Sequence, residues 1–318
     1  MIRLVISDSA ENSSLYLYKK IEERLDEGKK SILIVPEQYT LETDINFLKS
    51  IKYKAVMDAK VLSFSSFASF FMDNFSEGKF EFLNKEGKVL LLTNILQDLK
   101  DDLKVFENSY QNIDFINSIV GLISSFKDNK FDEEFFKSVS KSHISDISKL
   151  KFEEIKLILD SYQKEIDGKY LDKEDILTYV AENLKNTDLF DGYEIFIDKF
   201  DFFEERKLDL ISALHAKGLD LNISLNIDPK YIANPLIRPE IFDSPARTLA
   251  YFMENYKTEI IRLEESRGPA DFRHLMANFD TYRPEVYGES PKNISLYESI
   301  STKSEVENMA LLINKLIK

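Results

Sequence analysis

Two apolar patterns alternate over the first 75 or so residues. Leu4-Val5-Ile6 is a short apolar run that gives way to small polar residues. Leu15, Tyr18, Ile21 and Leu25 then recur at three- and four-residue spacing until Gly28. The run predicts a strand, and the spaced set predicts an amphipathic helix with a glycine stop. Ser31-Ile32-Leu33-Ile34-Val35, closed by Pro36, has the near-continuous β-branched character of a strand buried on both faces of a parallel sheet. A helix from about Thr40, a strand near Ala59-Lys60-Val61-Leu62-Ser63 and an aromatic helix through Phe67, Phe70 and Phe71 follow. The order βαβαβα predicts a three-layer α/β domain.

From about Asn84 to Lys185 the texture becomes helical throughout, with little glycine and no proline. Val89-Leu90-Leu92-Ile95-Leu96-Leu99 and Phe115-Ile116-Ile119-Val120-Ile123-Phe126 are the clearest stripes, followed by Ile155-Leu157-Ile158 with Tyr162 and by Ile176-Leu177-Val180. Strand patterns return at Glu194–Asp198 and Leu221–Leu225, with a helix from about Glu205 to Ala216 between them. Pro229, Pro235 and Pro239 mark a loop-rich stretch, a helix is expected over Ala246–Tyr256, and Ile294-Ser295-Leu296-Tyr297 reads as a last strand. Ser301-Thr302 can cap a closing helix with Val306, Met309, Leu312 and Ile313 on one stripe. That stripe is still running at Lys318, which leads us to expect a fragment truncated before further domains. The expected organisation is an α/β domain in two pieces, 1–82 and 188–318, interrupted by a helical insertion at 83–187. This arrangement resembles the first RecA-like (P-loop NTPase-type) domain of a superfamily 1 helicase core.

Composition narrows the chemistry. The 318 residues contain no cysteine and three dispersed histidines (His143, His215 and His274). A disulfide framework, thiolate zinc, a cysteine nucleophile and a His-rich metal site are thereby set aside. The net charge of −14 argues against a wholly basic nucleic-acid coat, though not against a local groove. Neither a long apolar stretch nor a signal-peptide pattern occurs, so a cytoplasmic location away from membranes is expected.

A nucleotide site would sit after the first strand, where a phosphate-binding loop reads G-x-x-x-x-G-K-[ST]. The window here is Ile6-Ser7-Asp8-Ser9-Ala10-Glu11-Asn12-Ser13. Ile6 and Glu11 replace the glycines, Asn12 replaces the lysine, and Ser13 alone fits. After the strand Glu194–Asp198 an active ATPase would carry paired acids, but Asp198 is followed by Lys199. Two lesions at two distant motifs point to a helicase-like core without ATP hydrolysis. A working ATPase with a divergent loop is the alternative.

Ile34-Val35-Pro36-Glu37-Gln38-Tyr39-Thr40 and Val61-Leu62-Ser63-Phe64-Ser65 resemble the N-terminal region of the AddB/RexB family. Tyr170–Asp175, Ile195–Phe200 and the Glu305-Val306-Glu307 helix extend the likeness over essentially the whole chain. That family supplies the B subunit of the AddAB (RexAB) helicase–nuclease of bacterial double-strand break repair. The resemblance implies a heterodimer with an AddA/RexA-type subunit. It also implies a C-terminal nuclease domain that carries a 4Fe-4S cluster and uses Mg, neither of them held by these residues. The implied role is to survey a 3′-ended single strand for the recombination hotspot sequence, Chi, while the A subunit drives unwinding.

Family positions that contact Chi match Gln38, Thr40, Phe64 and Phe200 here, all at or just past strand ends. Ligands of open α/β sheets bind at such carboxyl ends. A glutamine offers a donor and an acceptor to a base edge, and exposed aromatic rings stack on unpaired bases. Two further family positions, often basic and aromatic, are Ser66 and Ser69 in this chain. Against this stand capping as the whole role of Thr40, core packing as that of Phe64 and Phe200, and a scaffold function without DNA reading.

Overall fold

The computed structural model describes residues 1–75, 81–128, 135–138, 144–234, 242–263, 268–279 and 281–317, and divides into two compact units, 1–264 and 265–318. His143, Pro235 and Pro239 lie outside the described residues.

The first unit is built on a six-stranded sheet of β1 (Ile2–Ser7), β2 (Lys30–Ile34), β3 (Ala59–Leu62), β6 (Tyr193–Ile197), β7 (Asp220–Asn226) and β8 (Thr258–Arg262). Its order is β3-β2-β6-β7-β1-β8, and every neighbouring pair is parallel. Parallel neighbours need crossovers, and these are supplied by α1 (Ala10–Asp26), α2 (Thr40–Ser50), α3 (Phe64–Phe75), α8 (Glu205–Ala216) and α9 (Asp243–Asn255). The two-residue period of the strands sorts side chains between the faces. Ile2, Leu4, Ile6, Ile32, Ile34, Ile195 and Ile197 pack with α3, α8 and α9, whereas Val5, Leu33, Val35 and Phe196 pack with α1 and α2. This is a three-layer α/β sheet domain consistent with a RecA-like helicase core.

Between β3 and β6 lie β4 (Glu81–Leu83), α4 (Lys85–Asp98), α5 (Ile113–Asp128), α6 (Asp146–Ile166), β5 (Tyr170–Asp172) and α7 (Lys173–Asn183). Strands β4 and β5 pair with each other, not with the main sheet. Leu92, Leu96, Ile116, Ile123, Ile158 and Tyr162 form a hydrophobic cluster separate from those of the main sheet. Buried Glu154 accepts backbone N–H bonds from Lys104, Val105 and Phe106 and so pins the segment after α4.

The junction with the α/β layer is apolar and ionic: Leu171 and Val180 share a buried cluster with Phe67 and Leu210, and charged groups lie nearby. Asp172 accepts from Lys127 Nζ at 2.7 Å and Tyr162 Oη at 2.9 Å, and Lys127 also reaches Asp175. Arg206 of α8 bridges Asp175 at 3.0 Å and donates to the Lys127 carbonyl.

Two expectations need correction. Ile294–Tyr297 is irregular backbone outside any described sheet, with Leu296 and Tyr297 exposed. A strand requires a ladder partner, and the edge beside β1 is taken by Thr258–Arg262, whose pattern is too short to stand out. The sheet accordingly ends at Arg262, and the residues from 265 onward, expected within the second piece of the α/β domain, form a unit of their own.

In that second unit α10 (Ala270–Asn278) and α11 (Thr302–Ile317) are the helices described. Asp271 gathers the backbone N–H groups of Phe272, Lys292 and Asn293. Among the described residues no helix is long and apolar enough to cross a membrane.

Candidate functional site

Parallel strands deliver their following residues to one edge of the sheet. Register pairs Ile34 with Ile197 and Leu62, and Ile6 with Leu225 and Arg262, so the segments after β1, β2, β3, β6 and β7 converge at the carboxyl edge. The opposite edge is tied by ion pairs of Arg3 and Arg24 with Glu194, at 3.0 and 2.7 Å.

At the carboxyl edge β1 ends at Ser7 and α1 begins at Ala10, so the connection is Asp8-Ser9. Ile6 is fully buried as a strand residue. Ser9 caps the helix, accepting from Asn12 N at 3.4 Å, and Glu11 lies exposed in the first turn, where a carboxylate suits the helix dipole and repels an anion. Asn12 and Ser13 are buried. Two residues without glycine form no loop of amides around a phosphate.

Asp198 follows β6 and is 2% exposed. Ser14 Oγ donates to its Oδ2 at 2.6 Å and Ser224 Oγ to its Oδ1 at 2.5 Å. Burial pushes this carboxyl above its ordinary range, against the pull of the two hydroxyls. The hydroxyl paired with Asp198 is therefore that of Ser14, not the motif-matching Ser13, whose buried Oγ has no hydrogen-bond partner among the described residues.

Lys199 has φ 64°, the sole positive φ outside glycine among the described residues. This left-handed conformation costs a lysine about 1–2 kcal/mol. It turns Nζ toward Thr43 Oγ1 (3.1 Å) and the Glu42 carboxylate (3.9 Å), 5.3 Å from the centre of the Tyr39 ring. Two clefts adjoin it. One, of about 310 Å³, is lined by residues that include Ser13, Tyr39, Asp198, Asp201 and Asn226; the other, of about 480 Å³, by residues that include Glu11, Tyr18, Glu42 and Lys49.

The residues proposed to read a strand divide between surface and core. Gln38 is exposed in the short 3-10 turn Glu37–Tyr39. Thr40 is half-buried and does not cap α2; its hydroxyl donates to the Glu37 carbonyl at 3.0 Å. Ser66 is exposed in the first turn of α3 and bonded to Ser63 Oγ, and Ser69 is exposed one turn on. Phe64 and Phe200 are 4% and 9% exposed, their ring centres 5.3 Å apart edge to face, with Phe203 stacked on Phe200 at 5.2 Å and Lys207 Nζ above both. Neither offers a free ring face.

The exposed ring on this segment is Phe202, at 58%. Nothing in the spelling of Phe200-Asp201-Phe202-Phe203 tells which ring turns outward, because the segment is irregular and has no fixed period.

The family described as "ADDB, N-terminal" matches residues 4–277. The chain is similar to proteins named as the B subunit of an ATP-dependent helicase/deoxyribonuclease. It is 25% identical to that of Clostridium novyi (strain NT), 26% to that of Clostridium tetani and 28% to that of Caldanaerobacter subterraneus subsp. tengcongensis. Those alignments cover 99–100% of this chain and 28–29% of each relative, so the chain spans less than a third of their length. On the match over residues 4–277, the chain belongs to the AddB N-terminal family.

Proposed function

We propose that this chain is the helicase-like N-terminal module of a repair helicase–nuclease subunit, which binds single-stranded DNA, contributes to Chi recognition and does not hydrolyse ATP. The observation that carries it is the altered carboxyl edge. The β1–α1 connection is two residues long, Lys199 stands where a second carboxylate belongs, and Asp198 is closed off by Ser14 and Ser224. The same edge exposes Gln38, Tyr39 and Phe202, side chains of the kinds that hydrogen-bond base edges and stack on bases. The partner is an AddA/RexA-type subunit, a reading supported by the naming of the relatives as B subunits. These residues contain no cysteine, the usual ligand of a 4Fe-4S cluster, and no role for a cluster or for nuclease Mg is proposed within them.

A second reading is a scaffold that holds the A subunit and the nuclease domain without touching DNA. The net charge of −14 and the burial of Phe64 and Phe200 favour it. Fluorescence anisotropy on the reconstituted full-length complex with Chi-containing single strands separates the two. Gln38→Ala and Phe202→Ala should each weaken binding several-fold, and unchanged binding in both selects the scaffold. Titration with Mg and a non-hydrolysable ATP analogue should give no saturable heat from this module, whereas tight binding would restore the divergent ATPase.

A further inference from the structure

We propose that the outer edge of β3 is a docking site, where an extended acidic segment of the companion A-type subunit adds a strand to the main sheet. The inference rests on the two-subunit reading above and gives it a surface. β3 ends the sheet, with β2 its one hydrogen-bonded neighbour among the described residues. Ser31 N donates to the Asp58 carbonyl at 2.8 Å and Val35 N to the Leu62 carbonyl at 2.9 Å, and the ladder between them runs with a period of two. Asp58, Lys60 and Leu62 therefore turn their backbone groups toward β2, and Ala59 and Val61 turn theirs away from it. All four residues of the strand are half-buried, so these outward N–H and C=O groups lie at a surface. They are a row of donors and acceptors on which another extended chain can pair.

The side chains of the strand are already engaged, which leaves recognition to the backbone. Ala59 and Val61 pack against the cluster shared with α1 and α2, and Leu62 against the one shared with α3. Lys60 Nζ lies 5.3 Å from the centre of the Phe70 ring of α3. Met57, two residues before the strand, is 91% exposed and offers apolar area next to it.

Charge selects the occupant. Lys60 is the one charged residue of β3, and exposed Lys49 and Lys54 precede it in a chain of net charge −14. Lys52 is held by Asp26 at 2.6 Å, whereas Lys49, Lys54 and Lys60 have no ion pair among the described residues. A lysine on an edge strand discourages basic partners, a second β3 edge among them, and is offset by a carboxylate on the strand beside it. The opposite edge of the sheet, β8, reads Thr258-Glu259-Ile260-Ile261-Arg262 and carries both signs, so it has no such preference.

The test is hydrogen exchange and sedimentation of the full-length protein with and without its companion subunit, in the absence of DNA. The Val61 amide should exchange freely in the protein alone and at least about tenfold more slowly in the complex. Val61→Pro deletes the outward N–H and leaves the ladder to β2 whole, because proline is tolerated on an edge strand. Lys60→Glu reverses the charge with the backbone intact and carries the test if the proline variant does not fold. Each folded variant should bind the companion at least about tenfold more weakly than the wild type. Unaltered exchange at Ala59 and Val61 on assembly, with wild-type affinity in the variants, overturns the docking site and leaves the two-subunit reading standing. Slow exchange of Val61 already in the protein alone gives the edge to its own chain if sedimentation shows a monomer, or to a second copy if it shows a dimer, and overturns the proposal in either case. Failure of the wild type to assemble with the companion removes the two-subunit reading and the docking site together.

Discussion

Asp172→Ala removes the centre of the buried polar network that ties α4, α5, α6 and β5 together. Asp172 is fully buried, and its Oδ2 accepts from Lys127 and Tyr162, with Lys88 Nζ at 3.9 Å. Breaking a buried pair by deleting one partner costs about 3–5 kcal/mol, because the other charge stays behind in a poor solvent. Lys127 retains Asp175 at 2.5 Å, which places the loss at the lower end, about 3 kcal/mol. In a unit of this size that is roughly 6–8 °C in Tm. Lys127→Met should also destabilise, but the double variant leaves no orphaned charge at the pair and should fall short of the sum by about 2 kcal/mol. Urea unfolding followed by far-UV circular dichroism measures the cycle. Hydrogen exchange should show the earliest opening in α5, α6 and β5, which hold Lys127, Tyr162 and Asp172. A change below about 1 kcal/mol in Asp172→Ala, with additive behaviour in the double variant, would refute the network as a stabilising device.

The buried Asp198 carboxyl gives a pH signature. Its folded-state pKa is raised, so its contribution to stability is fully present below the ordinary carboxylate range and is lost as the pH rises through the raised value. Asp198→Asn should therefore raise Tm at pH 7 to 8 and give no gain near about pH 4, as thermal melts across that range would show. Asp271 has the opposite sign. Hydrogen bonds to it, above all from the Asn293 backbone, hold it down at about 2. Its contribution is present above the ordinary carboxylate range and disappears as the pH falls through about 2. Asp271→Asn should accelerate amide exchange at Lys292 and Asn293 at neutral pH, and the difference should close as acid is added.

The sheet was legible because strand and helix periods are properties of the local chain. Ser31–Val35 and Glu194–Asp198 are apolar on both faces, which only a strand covered by helices tolerates, and the observed β2 and β6 begin and end within a residue of them. Residues 258–262 and 294–297 show the limit. Both are short and mixed, and the choice between them rested on which one reaches the free edge of β1.

The sequence by itself determined the family and the identities of Glu11, Asn12 and Lys199, which no folding can change. Tertiary structure alone decided which side chains meet solvent. Phe64 and Phe200 are themselves residues of the expected interface, yet their rings turn into one aromatic cluster with Phe203, while Phe202 faces outward. It also decided that Ser14, one residue past the motif serine, meets Asp198 across 184 positions of chain. Exposure and pairing are set by what the rest of the chain brings alongside, and neither is encoded in the local spacing that makes a strand or a helix recognisable.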